Sequence, residues 1–173
     1  MIIEDRPQRI LRPVSASFMA LTIALALLFN LLPWRDVNGV PDMLALVLVF
    51  WCVHQPHKMG IGVAWLLGLV MDAGNGALFG QHAFAYSVLA FAAIALHRRM
   101  LWFPLWPQAL HSFFLLLGTQ VLMTLVRLAA GAAFPGISYF LGSAIAAALW
   151  PAVTFLLLLP QRQPETVDEN RPI

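Results

Sequence analysis

Long stretches of apolar residues separated by short polar segments dominate the sequence. A helix that crosses a bilayer needs about 20 apolar residues, because its backbone polar groups must be hydrogen-bonded within the hydrocarbon. Residues 15–32, 109–130 and 139–159 approach or reach this length, and residues 81–96 form a slightly shorter stretch. We predict a spanning helix in each, with Pro151 kinking the last one. No small-x-small cleavage site follows the first stretch, which we interpret as an uncleaved anchor.

Two shorter apolar stretches lie between the first and the fourth. Residues 43–53 and 61–71 are each about half a span long, and the polar segment 54–58 separates them. Pro56 has no amide proton and disfavours helical backbone at Gln55, so one continuous helix is not expected. We predict two short helices that recruit their flanks, over residues 41–55 and 58–72. The alternative is a re-entrant hairpin, and short spans are tolerated where the bilayer thins.

The composition places the chain in the membrane. Hydrophobic residues make up 61% of the 173 residues and charged residues 10%, with a mean hydropathy of +0.80, whereas soluble domains carry about 25% charged residues. A single cysteine, Cys52, excludes a disulfide scaffold, and a net charge of +2 without a basic run argues against nucleic-acid binding. The fold class is therefore all-α, a polytopic helical bundle over residues 15–160. Polar tails flank it at residues 1–14 and 161–173.

The distribution of basic residues predicts the orientation. Six crossings place both termini on one side of the membrane, and basic residues favour the cytoplasmic side. With both tails inside, only Arg35 and Arg127 lie outside. The cytoplasmic set is Arg6, Arg9, Arg12, Lys58, Arg98, Arg99, Arg162 and Arg171. We therefore predict cytoplasmic termini, and a re-entrant second pair would leave that orientation unchanged.

A four-residue spacing of small and acidic residues stands out at the third stretch. Gly68, Asp72, Gly76 and Gly80 recur every four residues, and glycine at this spacing lets helices approach closely in lipid. Residues 74–76, Gly-Asn-Gly, are also a turn signal, so we expect the helix to end near Asp72. The glycines could serve packing and turning alone. The functional interpretation makes Asp72 an oriented polar anchor.

Two further features invite interpretation. Asp72 and Arg127 are the ionisable residues expected near hydrocarbon at similar depth, and we hypothesise that they pair; the alternative is that Arg127 snorkels to the surface. Between the fourth and fifth stretches, Arg99 is followed by Trp102 and Trp106, with Pro104 between the tryptophans and Pro107 after them. This segment suits the headgroup region, either as an ordinary aromatic belt or as a docking surface for a partner.

Catalytic and metal-binding patterns are weak. His54 and His57 flank Pro56 without a nearby acidic or cysteine ligand, and zinc sites need three or four convergent ligands. His111 and Ser112 are sequence neighbours that point to different faces of a helix. No glycine-rich phosphate loop is present in the sequence. We expect neither a metal, nor a cofactor, nor an enzymatic activity.

Several of these motifs together resemble the MreD family of rod shape-determining proteins. The resemblance extends from about Ser15 to Arg162. The segments that carry it are Gly68-Leu69-Val70-Met71-Asp72 with Gly76 and Gly80, Pro41-Asp42-Met43-Leu44, His54-Gln55-Pro56-His57, Gly80-Gln81-His82-Ala83, and Arg99-Met100-Leu101-Trp102-Phe103-Pro104-Leu105-Trp106.

The resemblance implies a cytoplasmic-membrane protein of the machinery that elongates the lateral cell wall. It implies binding to the bitopic protein MreC and, through it, to MreB, RodA and a class B penicillin-binding transpeptidase. The implied fold is similar to the substrate-binding subunits of energy-coupling-factor transporters, and no catalytic residues carry over. We therefore expect a non-enzymatic adaptor that binds MreC by transmembrane helix packing. The structural or partner-binding candidates are Pro41, Asp42, Gly68, Asp72, Gly76, Gly80, Arg99, Trp102, Trp106 and Arg127.

One alternative from a different functional class stays open. The transporter-like fold also permits a small-molecule-binding subunit of a transporter, although fold alone does not give function. Such a protein needs convergent polar groups in a cavity. The available set is sparse: Asn30, Asp72, Asn75, Gln81, Gln120 and Arg127.

Overall fold

The computed structural model describes residues 14–33, 39–76 and 78–161. Within these ranges all regular secondary structure is helical, and there is no strand. The helices are α1 (Ala16–Leu31), α2 (Met43–His54), α3 (Ile61–Asn75), α4 (Gln81–Trp102), α5 (Leu105–Ala129) and α6 (Leu141–Leu158). Two short 3₁₀ helices flank α6: η1 (Ile137–Phe140) and η2 (Leu159–Gln161). The predicted all-α class and the break between the second and third helices are confirmed.

Helices α3, α4 and α5 have ends that differ from their predicted positions by three or more residues. Helix α4 continues to Trp102, six residues beyond the predicted end, and α5 begins at Leu105, because Phe103 and Pro104 alone separate the two helices. Helix α3 runs past Asp72 to Asn75. It ends there because Gly76 adopts the left-handed conformation (φ 60°) and donates its backbone N–H to the carbonyl of Asp72.

The number of membrane crossings is only partly supported by helix length. Helix α4, helix α5 and the segment Ile137–Gln161 are long and apolar enough to cross a bilayer. Helices α1, α2 and α3 have 16, 12 and 15 residues. At 1.5 Å per residue, α2 is about 18 Å long, against a hydrocarbon core of about 30 Å. Six crossings and the re-entrant alternative therefore both remain predictions.

Helix α2 forms the centre of the molecule. All ten residues from Leu44 to Val53 are buried, and α1, α4, α5 and α6 pack around them. Because the helix is apolar on every face, it has no side that favours water, and burial on all sides follows. This central position explains why so short a helix is stable.

Two tryptophans anchor the core, and both indole N–H groups find acceptors. Trp51 of α2 donates to the hydroxyl of Thr22 at 3.0 Å. Trp150 of α6 donates to Oε1 of Gln108 at 3.3 Å. Both tryptophans are completely buried, so an unpaired N–H would carry a desolvation cost of about 1–3 kcal/mol. These bonds connect α2 to α1 and α6 to α5.

The bundle has two ends, which we name by their residues. The carboxylate end contains Asp42 before α2 and Asp72 near the end of α3; the tryptophan end contains Trp102 and Trp106. With 22 residues, α4 separates the two ends by about 33 Å. Of the predicted tails, 1–14 and 161–173, only Val14 and Gln161 fall within the described residues, and both are buried.

Candidate functional site at the carboxylate end

Gly68 brings the backbones of α3 and α4 into contact. A Cβ atom built on Gly68 would lie 2.4 Å from Cα of Ala83 and 2.5 Å from its amide nitrogen. No residue with a side chain fits this crossing without moving one of the helices. The close approach places the next turn of α3, which carries Asp72, directly against the N-terminus of α4.

The Asp72 carboxylate caps the N-terminus of α4. Its Oδ2 accepts hydrogen bonds from the backbone N–H groups of Gly80 (2.9 Å) and Ala83 (3.3 Å), and its Oδ1 accepts one from the N–H of His82 (2.9 Å). These amides have no partner within their own helix. The positive end of the helix dipole also favours a negative charge there. Asp72 is 1% exposed, so a neighbouring helix supplies the cap that α4 lacks locally.

The imidazole of His82 completes the Asp72 network. Its Nδ1 lies 2.7 Å from Oδ1 of Asp72, and since the ionised carboxylate only accepts hydrogen bonds, Nδ1 carries the proton. In the neutral ring, Nε2 is then left as an acceptor. The ring packs edge-on against Tyr86.

The hypothesised pair between Asp72 and Arg127 does not form. Both oxygens of Asp72 accept hydrogen bonds from residues at the start of α4, namely Gly80, His82 and Ala83. Arg127 lies in the last turn of α5. Asp72 therefore binds the start of α4 rather than α5.

Gly76 and Gly80 shape the turn between α3 and α4. Both have positive φ angles, 60° and 96°, which side chains rarely adopt. Gly76 ends α3, and Gly80 is the residue before α4 whose N–H reaches Asp72. The four-residue spacing in the sequence therefore combines a close approach, a cap and two turn positions rather than one repeated packing surface.

Asp42 connects three helices at the same end. Its Oδ1 accepts hydrogen bonds from the backbone N–H of Ala45 (2.8 Å) and from Nδ2 of Asn30 (2.6 Å), and its Oδ2 accepts one from the hydroxyl of Tyr86 (2.8 Å). Asn30 in turn accepts the N–H of Met43 at 3.0 Å. Asp42 thus caps α2 while binding side chains of α1 and α4.

Removal of the Tyr86 hydroxyl tests this connection. We expect Tyr86→Phe to lower the free energy of unfolding by about 1.5–3 kcal/mol, because a hydrogen bond to a charged group is lost in a fully buried place. Chemical denaturation of the purified protein measures the change. Tyr139→Phe is the matched control, since among the described residues the Tyr139 hydroxyl donates to Sδ of Met123 at 3.6 Å and not to a carboxylate. Equal losses in the two variants would contradict this role of Asp42.

A cavity of about 550 Å³ lies beside these carboxylates. We call it the Gln120 cavity; its polar lining comprises Asn30, Asp42, Asn75, His82, Gln120 and Tyr139. Pro41 also lines it, with apolar side chains of α1, α3 and α5. Of the sparse polar set considered for a transporter subunit, Asn30, Asn75 and Gln120 reach this cavity, whereas Asp72, Gln81 and Arg127 do not.

The remaining candidates lie at the opposite end. Trp102 is 91% exposed and Trp106 77% exposed, and Arg98 and Arg99 are exposed in the last turns of α4. The structure therefore separates the predicted site residues into two groups. Pro41, Asp42, Gly68, Asp72, Gly76, Gly80 and Arg127 lie toward the carboxylate end, whereas Arg99, Trp102 and Trp106 lie at the tryptophan end.

Three histidines are used locally. Nδ1 of His54, His97 and His111 lies within hydrogen-bond distance of a backbone carbonyl of the same helix. Within residues 14–33, 39–76 and 78–161, no three histidine, cysteine or acidic side chains converge as a metal site would need. The chemistry at the carboxylate end is that of helix caps and hydrogen bonds.

Comparison with known proteins decides the family. A family model described as rod shape-determining protein MreD matches residues 10–159. The chain belongs to the MreD family. The rod shape-determining protein MreD of Haemophilus influenzae is 32% identical over 140 residues, which cover 78% of this chain and 83% of that protein. No solved structure matches the chain.

Membership of the MreD family settles the broad role. The chain is a bacterial membrane protein of the rod shape-determining class, and the transporter-subunit alternative is not favoured. The expected likeness to energy-coupling-factor subunits stays a prediction. The residue set proposed from sequence omitted Tyr86, and it did not connect Asn30 with Asp42 or His82 with Asp72. The glycine turn before His82 was the available signal, because a helix that begins there needs a cap.

Proposed function

We propose that this MreD-family chain is a non-enzymatic adaptor of the cell-wall elongation machinery that binds MreC through transmembrane helix packing. Through MreC it would reach MreB, RodA and a class B penicillin-binding transpeptidase. The chain would lie in the inner membrane with six crossings and cytoplasmic termini. In this orientation the tryptophan end, with Arg98 and Arg99, is cytoplasmic, which agrees with the preference of basic residues for the cytoplasmic side.

The exposed face of α5 is the observation that supports this proposal most directly. Leu110, Phe114, Val121 and Leu125 are 42–61% exposed along a 25-residue helix. Gly118 lies among them, and a Cβ atom built on it would have nothing within 4 Å. The face therefore contains a shallow depression at Gly118, flanked by large apolar side chains.

A depression of this kind can accommodate a second transmembrane helix. Lipid tails are as apolar as leucine, so helices associate in a membrane through close packing, for which small residues give access to the backbone. Other parts of the fold already occupy the space beside Gly68, Gly74 and Gly142. Gly118 is open on a helix long enough to cross the bilayer. We therefore assign the α5 face to the single transmembrane helix of MreC.

A side chain that fills the depression at Gly118 tests the assignment of the α5 face to MreC. We expect Gly118→Leu to reduce co-purification of MreC at least about tenfold, the effect of losing about 1.4 kcal/mol of packing. Folding should be unharmed, because the site is open and leucine favours helix more than glycine does. Quantitative co-purification from cells with tagged protein, alongside a melting curve, measures both.

Gly62→Leu is the matched control. Gly62 lies within α3, and a Cβ atom built there also has nothing within 4 Å. The control should bind MreC as the unmodified protein does. Undiminished MreC recovery with Gly118→Leu would contradict the assignment of the α5 face, and an equal loss with Gly62→Leu would show that the effect is not specific to it.

A further inference from the structure

Four large apolar side chains are exposed on the connections at the carboxylate end. Leu78 and Phe79 lie between α3 and α4, and Phe134 and Ile137 lie between α5 and α6. Their exposed fractions range from 49% for Leu78 to 83% for Ile137. We call these four residues the apolar rim. Large exposed apolar side chains that cluster in this way mark a surface that contacts a membrane or a partner.

The sequence around the apolar rim carries no charged residue. Residues 73–97 and 128–161 contain no aspartate, glutamate, lysine or arginine, so both connections lie within long uncharged stretches. A surface that docks a water-soluble protein has a polar margin around its apolar centre. The uncharged surroundings of the rim therefore favour the hydrocarbon of a membrane as its partner.

The apolar rim continues the exposed surface of a helix that is able to span the bilayer. Ile137 begins the segment Ile137–Gln161, which is long and apolar enough to cross a membrane. Leu141, Ile145 and Leu149 of this segment are exposed at four-residue spacing, which places them on one face of α6. Ile137 precedes this row by one turn and is more exposed than any of its members. The surface that α6 presents to lipid thus extends into the rim.

Backbone N–H groups of both connections are bonded within the protein. Gly80 donates to the Asp72 carboxylate at 2.9 Å, and Gly131 and Ala132 donate to carbonyls in the last turn of α5 at 3.0 Å. Irregular backbone is tolerated near hydrocarbon only where its polar groups have partners. These bonds make the connections compatible with a position at the boundary between headgroups and acyl chains.

The length of α4 also agrees with a rim that lies in lipid. Arg98 and Arg99 lie at headgroup level near the other end of α4, because charged side chains avoid hydrocarbon. The axial rise from Gln81 to Arg98 is about 26 Å at 1.5 Å per residue, a few ångströms less than the hydrocarbon core of about 30 Å. Leu78 and Phe79 extend the apolar surface beyond Gln81 and supply the missing thickness.

We propose that the apolar rim inserts into the membrane, with its side chains among the phospholipid acyl chains just below the headgroups. The partner of this surface is lipid and not a protein domain in the aqueous phase. Insertion of two connections fixes how deeply the carboxylate end sits in the bilayer, and with it the depth of Gly118 on α5. The proposal does not depend on MreC binding.

A fluorophore at single positions of the full chain measures the depth of the rim. Nitrobenzoxadiazole is attached to Phe79→Cys or Ile137→Cys, and the unmodified chain serves as the labelling blank because Cys52 is buried. The protein is reconstituted into phosphatidylcholine–phosphatidylglycerol vesicles. The quenchers are iodide on both sides of the membrane or phosphatidylcholine with a nitroxide just below the headgroup. We expect nitroxide quenching and a loss of iodide quenching at both rim positions.

Two reference positions calibrate this measurement. His57→Cys places the label in the exposed polar turn between α2 and α3, where iodide should quench it. Phe114→Cys places it on the exposed face of α5, where iodide should not. If iodide quenches the rim positions as strongly as position 57 and the nitroxide lipid does not quench them, the proposal is wrong and an aqueous protein partner becomes the better occupant.

A polar substitution at the rim tests the same point without a label. We expect Ile137→Gln to lower the melting temperature in these vesicles by about 2–4 °C, the size of shift expected when one polar side chain is forced into hydrocarbon in a chain of this length. Leu101→Gln is the matched control, because Leu101 is exposed just past Arg98 and Arg99, at headgroup level, and its replacement should change the melting temperature less. An equal fall in both variants, or no fall with Ile137→Gln, would overturn the proposal.

Discussion

Replacing Asp72 by alanine is expected to lower the free energy of unfolding by about 3 kcal/mol or more. The substitution leaves three backbone N–H groups at the start of α4 without their acceptor, and each unpaired buried donor costs about 1–3 kcal/mol. It also removes the negative charge that opposes the helix dipole. Denaturant unfolding in detergent measures the stability, and rescue of rod shape in cells lacking the native protein measures the function.

Two comparison variants make the Asp72 result specific. Asp72→Asn keeps one acceptor oxygen and the side-chain shape. It should therefore lower the free energy of unfolding by less than Asp72→Ala does. Arg127→Ala should destabilise the protein less than Asp72→Ala does, because Arg127 is half-buried and forms no ion pair with Asp72. Equal destabilisation by Arg127→Ala and Asp72→Ala, with recovery on exchanging the two charges, would restore the ion-pair hypothesis.

Replacing Gly68 by alanine is expected to destabilise the protein by about 3 kcal/mol, the upper end of overpacking penalties. The added methyl group would meet backbone atoms of Ala83 and His82 at 2.4–2.6 Å. Backbone cannot rotate away as a side chain can, so α3 and α4 must separate. Separation also lengthens the hydrogen bonds of Asp72, and the same denaturant titration detects both effects.

Gly62→Ala serves as the control for this substitution. Both glycines lie within α3, but a Cβ atom on Gly62 faces open space. Alanine is favoured over glycine in a helix by about 0.8–1.0 kcal/mol, so this variant should be as stable as the unmodified protein or more stable. A stable Gly68→Ala protein would show that the two helices do not need their close contact.

The hydrophobic pattern predicted most of the helices, and its errors have local causes. The predicted ends of α1 and α2 lie within one or two residues of the observed ends, and Pro56 correctly predicted the break before α3. The fourth and fifth helices were predicted too short because the polar and proline-rich segment around Trp102 and Trp106 has a composition typical of a loop. That segment is helical up to Trp102 and again from Leu105.

The candidate site was predicted by residue but not by arrangement. The sequence indicated Asp42 and Asp72, yet it gave no information on which helix face each one occupies. Estimated depth alone suggested Arg127 as the partner of Asp72, whereas rotation about the helix axis directs the carboxylate to His82. Tyr86 was missed because an isolated tyrosine in an apolar helix carries no signal until the neighbouring carboxylate is located.

Site-specific photo-crosslinking in living cells tests the adaptor assignment most directly. A benzophenone amino acid replaces Phe114 on the α5 face or, as a control, Trp65 on α3; both are exposed aromatic residues, at 61% and 48%. The account predicts a crosslink to MreC from position 114 and none from position 65. Crosslinking to MreC from position 65 alone, or from neither position, would contradict it.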